Sequence, residues 1–288
     1  MKHIFIHISS YRYVCSLMLL AFVSASVYFS VFSLVLADEN DAAVHINDIK
    51  FEDRKWGEKF LNLLDTGPMV LSRDEAFEVA LPPVNDSDIT KDELVFLKDI
   101  ELNKRDEDTL LRIHFENTAG SPQEFFIKEG LLNIDSYNTV LLLKMIDVDH
   151  VYFILDRKNH FLRARPSQLN EDLITAIPNP AHAAYPSGHS SQAYMVALVL
   201  SEFDPENAEK YKQFAIDIAH RREIAGVHYP SDSVAGRQLA VDMLARLRTV
   251  SVFEKKFQEA KASHLKPSFV KISDEELKGL VQIINKYN

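Results

Sequence analysis

The chain has 288 residues, and its 47% hydrophobic content can fill the core of one large domain or two small ones. A net charge of −10 makes binding to nucleic-acid backbones or anionic membrane surfaces unfavourable. The single cysteine, Cys15, lies in an N-terminal apolar segment, so the remaining chain can form neither a disulfide nor a thiolate metal site.

Residues 1–37 have the composition of a secretory signal peptide. Lys2 and Arg12 precede an apolar stretch that ends at Leu36, and cleavage is predicted before Asp38. The stretch is long enough to nearly span a bilayer, so a retained anchor, which would be the chain's only membrane contact, is the alternative. We expect four parts: residues 1–37 as signal or anchor, 38–80 as an extension, 81–262 as the main domain and 263–288 as a helical tail.

Capping residues and apolar periodicity predict a helix that ends near Lys104. Thr90 and Glu93 have the spacing of a capping box. Ile89 and Leu94 are placed for a hydrophobic staple around the same helix start.

Helical patterns continue to the end of the chain. They are predicted on both sides of Gly120-Ser121-Pro122 and then over approximate residues 140–162, 188–203, 204–226, 229–248, 252–265 and 274–286. Because the chain has no convincing alternation of apolar and polar residues, the predicted fold class is all-α.

A short segment, Tyr185-Pro186-Ser187-Gly188-His189, stands directly before the apolar helix that begins near residue 188. Proline and serine suit a helix start, and glycine lets the backbone approach a ligand. Helix starts attract anions, and His189 adds a titratable group beside such a site. By itself this pattern also fits an ordinary loop-to-helix junction.

Two cations, Lys158 and Arg165, are seven positions apart, which predicts that both leave one face of a helix. Arg163 lies off that face and is interpreted as a surface or ion-paired residue. His160 is interpreted as structural.

Arg222 is followed by His228 and Asp232 at a spacing of four. In a helix or turn, Asp232 could hold one imidazole nitrogen and leave the other free as a base or nucleophile. The alternative is that Asp232 is an acid placed favourably in the first turn of a helix.

A cluster of Asp147, Asp149 and His150 contains residue types that bind metals. Alternating acids at a helix end usually face solvent, and we favour that interpretation. No metal site is therefore predicted.

The three motifs occur in the order Lys158-x6-Arg165-Pro166, Pro186-Ser187-Gly188-His189 and Arg222-x5-His228-x3-Asp232. This order resembles the type 2 phosphatidic acid phosphatase (PAP2) superfamily, which includes the vanadium haloperoxidases. The motifs are most similar to those of bacterial class A non-specific acid phosphatases, from about Leu81 to Ala262. The chain departs from them at Arg221, where serine is usual, and lacks the usual cysteines.

This resemblance implies a single-domain helical bundle of the PAP2/haloperoxidase type, and it implies a role for each motif residue. His228 would attack phosphorus, Asp232 would orient His228, and His189, in its charged form, would protonate the leaving alcohol. The phosphate would be bound by Lys158, Arg165, Ser187, Gly188 and Arg222. Since neutral His228 and charged His189 are both required, a bell-shaped pH profile with an acidic optimum is expected.

The expected function is that of a secreted or periplasmic acid phosphatase that acts on small phosphomonoesters without a metal or other cofactor. Vanadate is expected to inhibit it. One alternative is a vanadate-dependent haloperoxidase, in which vanadate is the cofactor, and another is a membrane-anchored lipid phosphate phosphatase. A phosphate-binding protein without catalytic activity and an oligomer of identical subunits also stay open.

Overall fold

The computed structural model describes residues 45–52 and 55–279, and helices dominate this part of the chain. The helices are α1 Glu58–Thr66, α2 Asp88–Asn103, α3 Glu107–Thr118, α4 Pro122–Lys128, α5 Tyr137–Phe161, α6 Pro166–Leu169, α7 Gly188–Phe203, α8 Ala208–Ile224, α9 Pro230–Leu247 and α10 Ser251–Ala262. Within the described ranges the β-structure is one isolated antiparallel bridge between Lys50 and Arg163. The all-α prediction is confirmed.

The predicted domain boundaries are not decided by the fold. The signal or anchor at residues 1–37 lies outside the described residues. The described residues from Ile46 to residue 279 belong to one compact unit, and the boundaries after residues 80 and 262 stay predictions. None of the helices in the described ranges is both long and apolar enough to cross a bilayer.

Helix α7 is the centre of the bundle. It packs against α4, α5, α8 and α9, so it is surrounded by other helices. Its sequence explains this position, because apolar residues occur around most of its circumference rather than along one stripe. Its fully buried side chains include Ala193, Met195, Ala197, Val199 and Leu200.

The capping prediction for α2 was wrong in register. The N-cap is Ser87, whose hydroxyl accepts a hydrogen bond from the backbone N–H of Thr90 at 3.2 Å. Ile89 is 59% exposed and makes no staple. Glu93, which was predicted to complete the capping box with Thr90, instead points inward and is buried. Its carboxylate therefore lies near α9.

The prediction that Asp147, Asp149 and His150 face solvent was also wrong. Asp149 is fully buried and accepts the backbone N–H groups of Val70 and Leu71 at 3.0 and 2.8 Å. His150 lies 2.7 Å from the hydroxyl of Ser191. Asp147 is half-buried and accepts a hydrogen bond from a side chain of α7. These polar groups therefore tie α5 to α7 and to the extension.

The first turns of α7 and α9 approach each other closely. The backbone N–H of Ser187 donates to the carbonyl of Asp232 at 3.0 Å, and the hydroxyl of Ser190 donates to the carbonyl of Ser233 at 2.8 Å. Gly236 makes this approach possible, because a Cβ there would lie 2.6 Å from the carbonyl oxygen of Ser187. The motifs of both helices are thereby held in fixed relation.

Substitution Gly236→Ala should destabilise the protein. Overpacking against a backbone atom costs about 1–3 kcal/mol, whereas the gain in helix propensity is only about 1 kcal/mol. Urea unfolding measures the difference. Gly279→Ala is the matched control, because a Cβ at Gly279 meets no atom within 4 Å. Equal stability of the two variants would contradict the close approach.

His150 should make the protein less stable in acid. Burial lowers the pKa of its ring to about 3, whereas in the unfolded chain the pKa is about 6.5. As the pH falls from about 6.5 towards 3, the unfolded state gains a proton that the folded state does not, and the free energy of unfolding falls by about 1.4 kcal/mol per pH unit. His150→Gln, which can still bond Ser191, should flatten this slope in urea unfolding at pH 4.5 and 7.5. Identical slopes for variant and wild type would refute the assignment.

Candidate active site

The start of α7 has the features of an anion site. Ser187 is the N-cap, and its hydroxyl is buried without a hydrogen-bond partner among the described residues. A Cβ at Gly188 would meet no atom closer than 3.7 Å, so the backbone there is open to the adjacent cavity. Free N–H groups and the partial positive charge of the helix start suit an anion at this point.

Two buried cations lie at the ends of neighbouring helices. Lys158, in the last turn of α5, donates to the carbonyls of Ala183 and Ala184 at 2.8 and 2.9 Å. Arg222, in the last turn of α8, has Nε and one terminal nitrogen buried without a partner in the described chain. A buried guanidinium with unpaired donors is costly unless an anion binds it.

Arg165 does not share a helix with Lys158, so that part of the prediction was wrong. Helix α5 ends at Phe161, and Leu162 adopts a left-handed conformation with φ of 50° that turns the chain. Arg165 still reaches the site from the next segment. It is fully buried and donates to the carbonyl of Val227 at 2.6 Å and to Nε2 of His228 at 3.1 Å.

His228 and Asp232 form the pair that the spacing predicted. Nδ1 of His228 donates to Oδ2 of Asp232 at 2.9 Å, and Asp232 also accepts the backbone N–H of Tyr229 at 3.1 Å. Because Arg165 can only donate, Nε2 of His228 must carry a lone pair. Burial, together with the charges of Arg165 and Lys158, lowers the pKa of His228 well below its usual value. The ring is therefore a neutral imidazole.

His189 lies on the other side of the site. Its Nε2 donates to the carbonyl of Glu116 at 3.0 Å, and its ring is stacked on Phe125. Burial, followed by the charge of Arg222, lowers its pKa to about 3. Burial therefore favours the neutral ring in the free protein, and a charged His189 during turnover stays a prediction.

Burial perturbs the pKa values of the cations themselves. Burial lowers the pKa of Arg165 to about 9 and that of Arg222 to about 10. The pKa of Lys158 is lowered strongly by burial and by the neighbouring Arg165. One anion placed among these groups would relieve all three effects.

A cavity of about 540 Å³ opens onto these groups. Its inner end is formed by Lys158, Gly188, His189, Arg222 and His228. Its outer walls combine the apolar residues Phe60, Leu63, Val151, Ile154, Leu155, Pro178 and Pro180 with the polar residues Lys59, Asn117, Asp147, Asn179, His182 and Gln192. The cavity can therefore take a molecule with a charged end and a body that is partly apolar.

Sequence reasoning missed several residues at the site. Arg163 is buried and ion-paired, so the ion-pair half of its interpretation was correct and the surface half was wrong. His182, which belongs to none of the three motifs, accepts a hydrogen bond from Arg165 at 3.0 Å. A terminal nitrogen of Arg221 lies 2.6 Å from a carboxylate oxygen of buried Glu116, so the residue that stands in place of the usual serine forms an ion pair. No spacing rule connects these partners, because they come from distant segments.

Comparison with known proteins agrees with this geometry. Residues 137–255 match the PAP2 superfamily family model, and all three motifs lie within this range. The non-specific acid phosphatase of Salmonella typhimurium is 33% identical over 122 residues, which cover 40% of this chain and 48% of that protein. The non-specific acid phosphatase of Providencia stuartii is 39% identical over 80 residues, or 28% of this chain and 32% of that protein. The first of these matches spans about half the length of the relative, and the second about a third.

The solved structures that the chain matches include a bacterial vanadium-dependent iodoperoxidase. Its TM-score is 0.49 at 18% identity, over 62% of this chain and 55% of that one. The sequence matches are the stronger finding, since they cover the motif region itself. The resemblance to the PAP2 superfamily indicated by the three motifs is therefore confirmed, and residues 137–255 carry it.

Proposed function

We propose that this protein hydrolyses phosphate monoesters through a phosphohistidine formed on His228. The state of His228 carries the proposal: Asp232 holds the proton on Nδ1, and the lone pair of Nε2 lies among buried cations. An oriented neutral imidazole is a good nucleophile, and cations stabilise the charge that a transferring phosphoryl group spreads over its oxygens. The naming of the similar bacterial proteins as acid phosphatases supports the same class.

The reaction would take place in two steps. Nε2 of His228 forms a bond to phosphorus while the bond from phosphorus to the ester oxygen breaks, and His189 donates a proton to the leaving alcohol. Water then forms a bond to phosphorus while the bond between phosphorus and Nε2 of His228 breaks, and His189 takes up a proton of the water. Inorganic phosphate leaves with His228 neutral again. Throughout, the phosphoryl oxygens would be bound by Lys158, Arg165, Arg222, the Ser187 hydroxyl and the backbone N–H of Gly188.

Because the pKa of His189 is low in the free protein, a change on substrate binding is needed to charge the ring. A bound phosphate offsets the field of Arg222 and the other cations, so the pKa of His189 rises when substrate binds. A phosphate ester has a second pKa of about 6, so at acidic pH the monoanion can bring the required proton. We therefore propose an acidic optimum.

Positive charge in this site would come from side chains. Lys158, Arg165 and Arg222 together give three fixed cations around one phosphoryl group, which is the stabilisation that a metal provides in other phosphatases. We propose that no metal ion takes part in the reaction. We also propose a periplasmic or secreted location, supported by the signal-like composition of residues 1–37.

The protein should hydrolyse p-nitrophenyl phosphate in the presence of EDTA, with a bell-shaped profile between pH 4 and 9. His228→Ala should lower kcat by about a thousandfold or more, because it removes the nucleophile. His160→Ala is the matched control, since His160 is exposed at the end of α5 and should leave kcat unchanged. Loss of turnover with EDTA, or full activity of His228→Ala, would overturn the mechanism. Bromide oxidation with added vanadate in the absence of phosphatase activity would favour the haloperoxidase.

Phosphate or orthovanadate should stabilise the folded protein, by about 2.7 kcal/mol at a hundred times the dissociation constant. Arg222→Met removes a buried charge that leaves two donor nitrogens unpaired in the described chain, so the free variant should be at least as stable as wild type but should lose the response to anions. Urea unfolding with and without phosphate measures both effects. Lys212→Met, on the outer surface of the same helix, should keep the response. An unchanged response in Arg222→Met would contradict the proposed phosphate cradle, which is formed by Lys158, Arg165, Arg222, Ser187 and Gly188.

A further inference from the structure

Arg163 is enclosed in the protein behind the site and does not line the cavity. Its backbone is held by the bridge to Lys50 and by the N–H of Ala184, which donates to its carbonyl at 3.0 Å. Its guanidinium lies 3.9 Å from the centre of the Tyr229 ring. The position of its charge is therefore set by backbone, ring and ion pairs together.

The guanidinium of Arg163 joins two carboxylates from different helices. One terminal nitrogen donates to Oδ1 of Asp232 at 2.6 Å, and the other donates to Oε2 of Glu93 at 3.2 Å. Glu93, on α2, also accepts the backbone N–H of Ser231 at 2.6 Å and its hydroxyl at 3.0 Å. The result is a continuous buried chain from Glu93 through Arg163 and Asp232 to His228.

Both oxygens of Asp232 are thereby occupied. Oδ1 accepts from Arg163, and Oδ2 accepts from His228 and from the backbone of Tyr229. A carboxylate fixed at both oxygens cannot rotate away from the imidazole, so it also fixes the tautomer of His228. Without Glu93, the positive charge of Arg163 would cancel the negative charge of Asp232. The carboxylate of Glu93 offsets the positive charge of Arg163.

We propose that Arg163 and Glu93 are positioning residues for the nucleophile: they lock the carboxylate of Asp232 against Nδ1–H of His228, and they balance its charge. The proposal rests on the proposed function of His228. Neither residue touches the cavity, so their effect passes through Asp232. Glu93 lies outside the region that matches the family model.

Other charged or titratable groups act on His228 from every element around it, and the test must leave them unchanged. They are Lys158 at the end of α5, Arg165 before α6, His182 in the loop before α7, His189 at the start of α7, Arg222 at the end of α8 and Asp232 in α9.

The first test compares pH profiles of kcat/KM for p-nitrophenyl phosphate in wild type, Arg163→Gln, Glu93→Gln and Arg163→Lys. Loss of positive charge at Arg163 favours protonated His228, so the acid limb should move up by about one pH unit, or tenfold in proton concentration. Loss of negative charge at Glu93 should move it down by a smaller amount. Arg163→Lys keeps the positive charge, so the acid limb should stay at the wild-type pH. Its kcat should be about tenfold lower, because an ammonium group lacks the planar pair of donors that a guanidinium offers to two carboxylates.

Substrate ionisation is the same for every variant, so differences between the limbs come from the protein. Inhibition by inorganic phosphate should be unchanged, because the cradle is intact, and the loss should appear in kcat rather than KM. Arg246→Gln is the matched control, since it breaks another Arg–Glu pair, the one between Arg246 and Glu75. Arg246 lies about 21 Å along α9 from Asp232. Its acid limb should coincide with that of wild type.

The second test does not need turnover. Proton and nitrogen-15 NMR of the histidine rings, with His228 assigned by its absence in His228→Ala, should show a downfield, slowly exchanging Nδ1–H proton in wild type. In Arg163→Gln, Arg165 still donates to Nε2 and keeps the tautomer, but the Nδ1–H signal should move upfield and exchange faster because Asp232 is held less firmly. If wild type does not hydrolyse the ester, the proposed function fails, and the Nδ1–H signal still decides this inference. Acid limbs that shift in neither Gln variant, or an unchanged Nδ1–H signal in Arg163→Gln, would overturn it.

Discussion

The burial of several cations with little opposing charge is the constraint on which the site depends. Lys158, Arg165 and Arg222 are each removed from water, and the carboxylate of Asp232 is committed to His228 and Arg163. Desolvation of this kind opposes folding, so the rest of the protein must supply the stability. The apolar helix α7, surrounded by four neighbouring helices, provides such a core directly beside the charges.

The scaffold holds Lys158 and Arg165 by groups that cannot relax with them. Carbonyl oxygens of the loop before α7 receive Lys158 and Arg165, and the close contact at Gly236 joins the start of α7 to α9. Electrostatic stabilisation of a transition state requires this rigidity, because dipoles that reorganise during the reaction return little of the energy. Packing and proposed catalysis are thus consequences of one arrangement.

Local patterns predicted local structure well. The helix from Gly188 to Phe203 has the predicted bounds, and the pairing of His228 with Asp232 followed from a spacing of four across one turn. Long-range partners could not be read in this way. The left-handed residue Leu162 ends α5, whereas the spacing of Lys158 and Arg165 was interpreted as one continuous helix. Glu93 was assigned to a local cap, although it meets Arg163 seventy positions away. Such contacts depend on how helices cross, which periodicity does not encode.

The position of Glu93 on α2 has a consequence for how the motif region could be used outside this protein. A fragment cut to the family-matched residues 137–255 would keep every motif residue and would still contain Arg163, but the carboxylate on the far side of that arginine would be missing. The guanidinium would then be balanced by Asp232 alone. Transplanting or minimising this domain therefore requires α2 as well as the residues that sequence comparison selects.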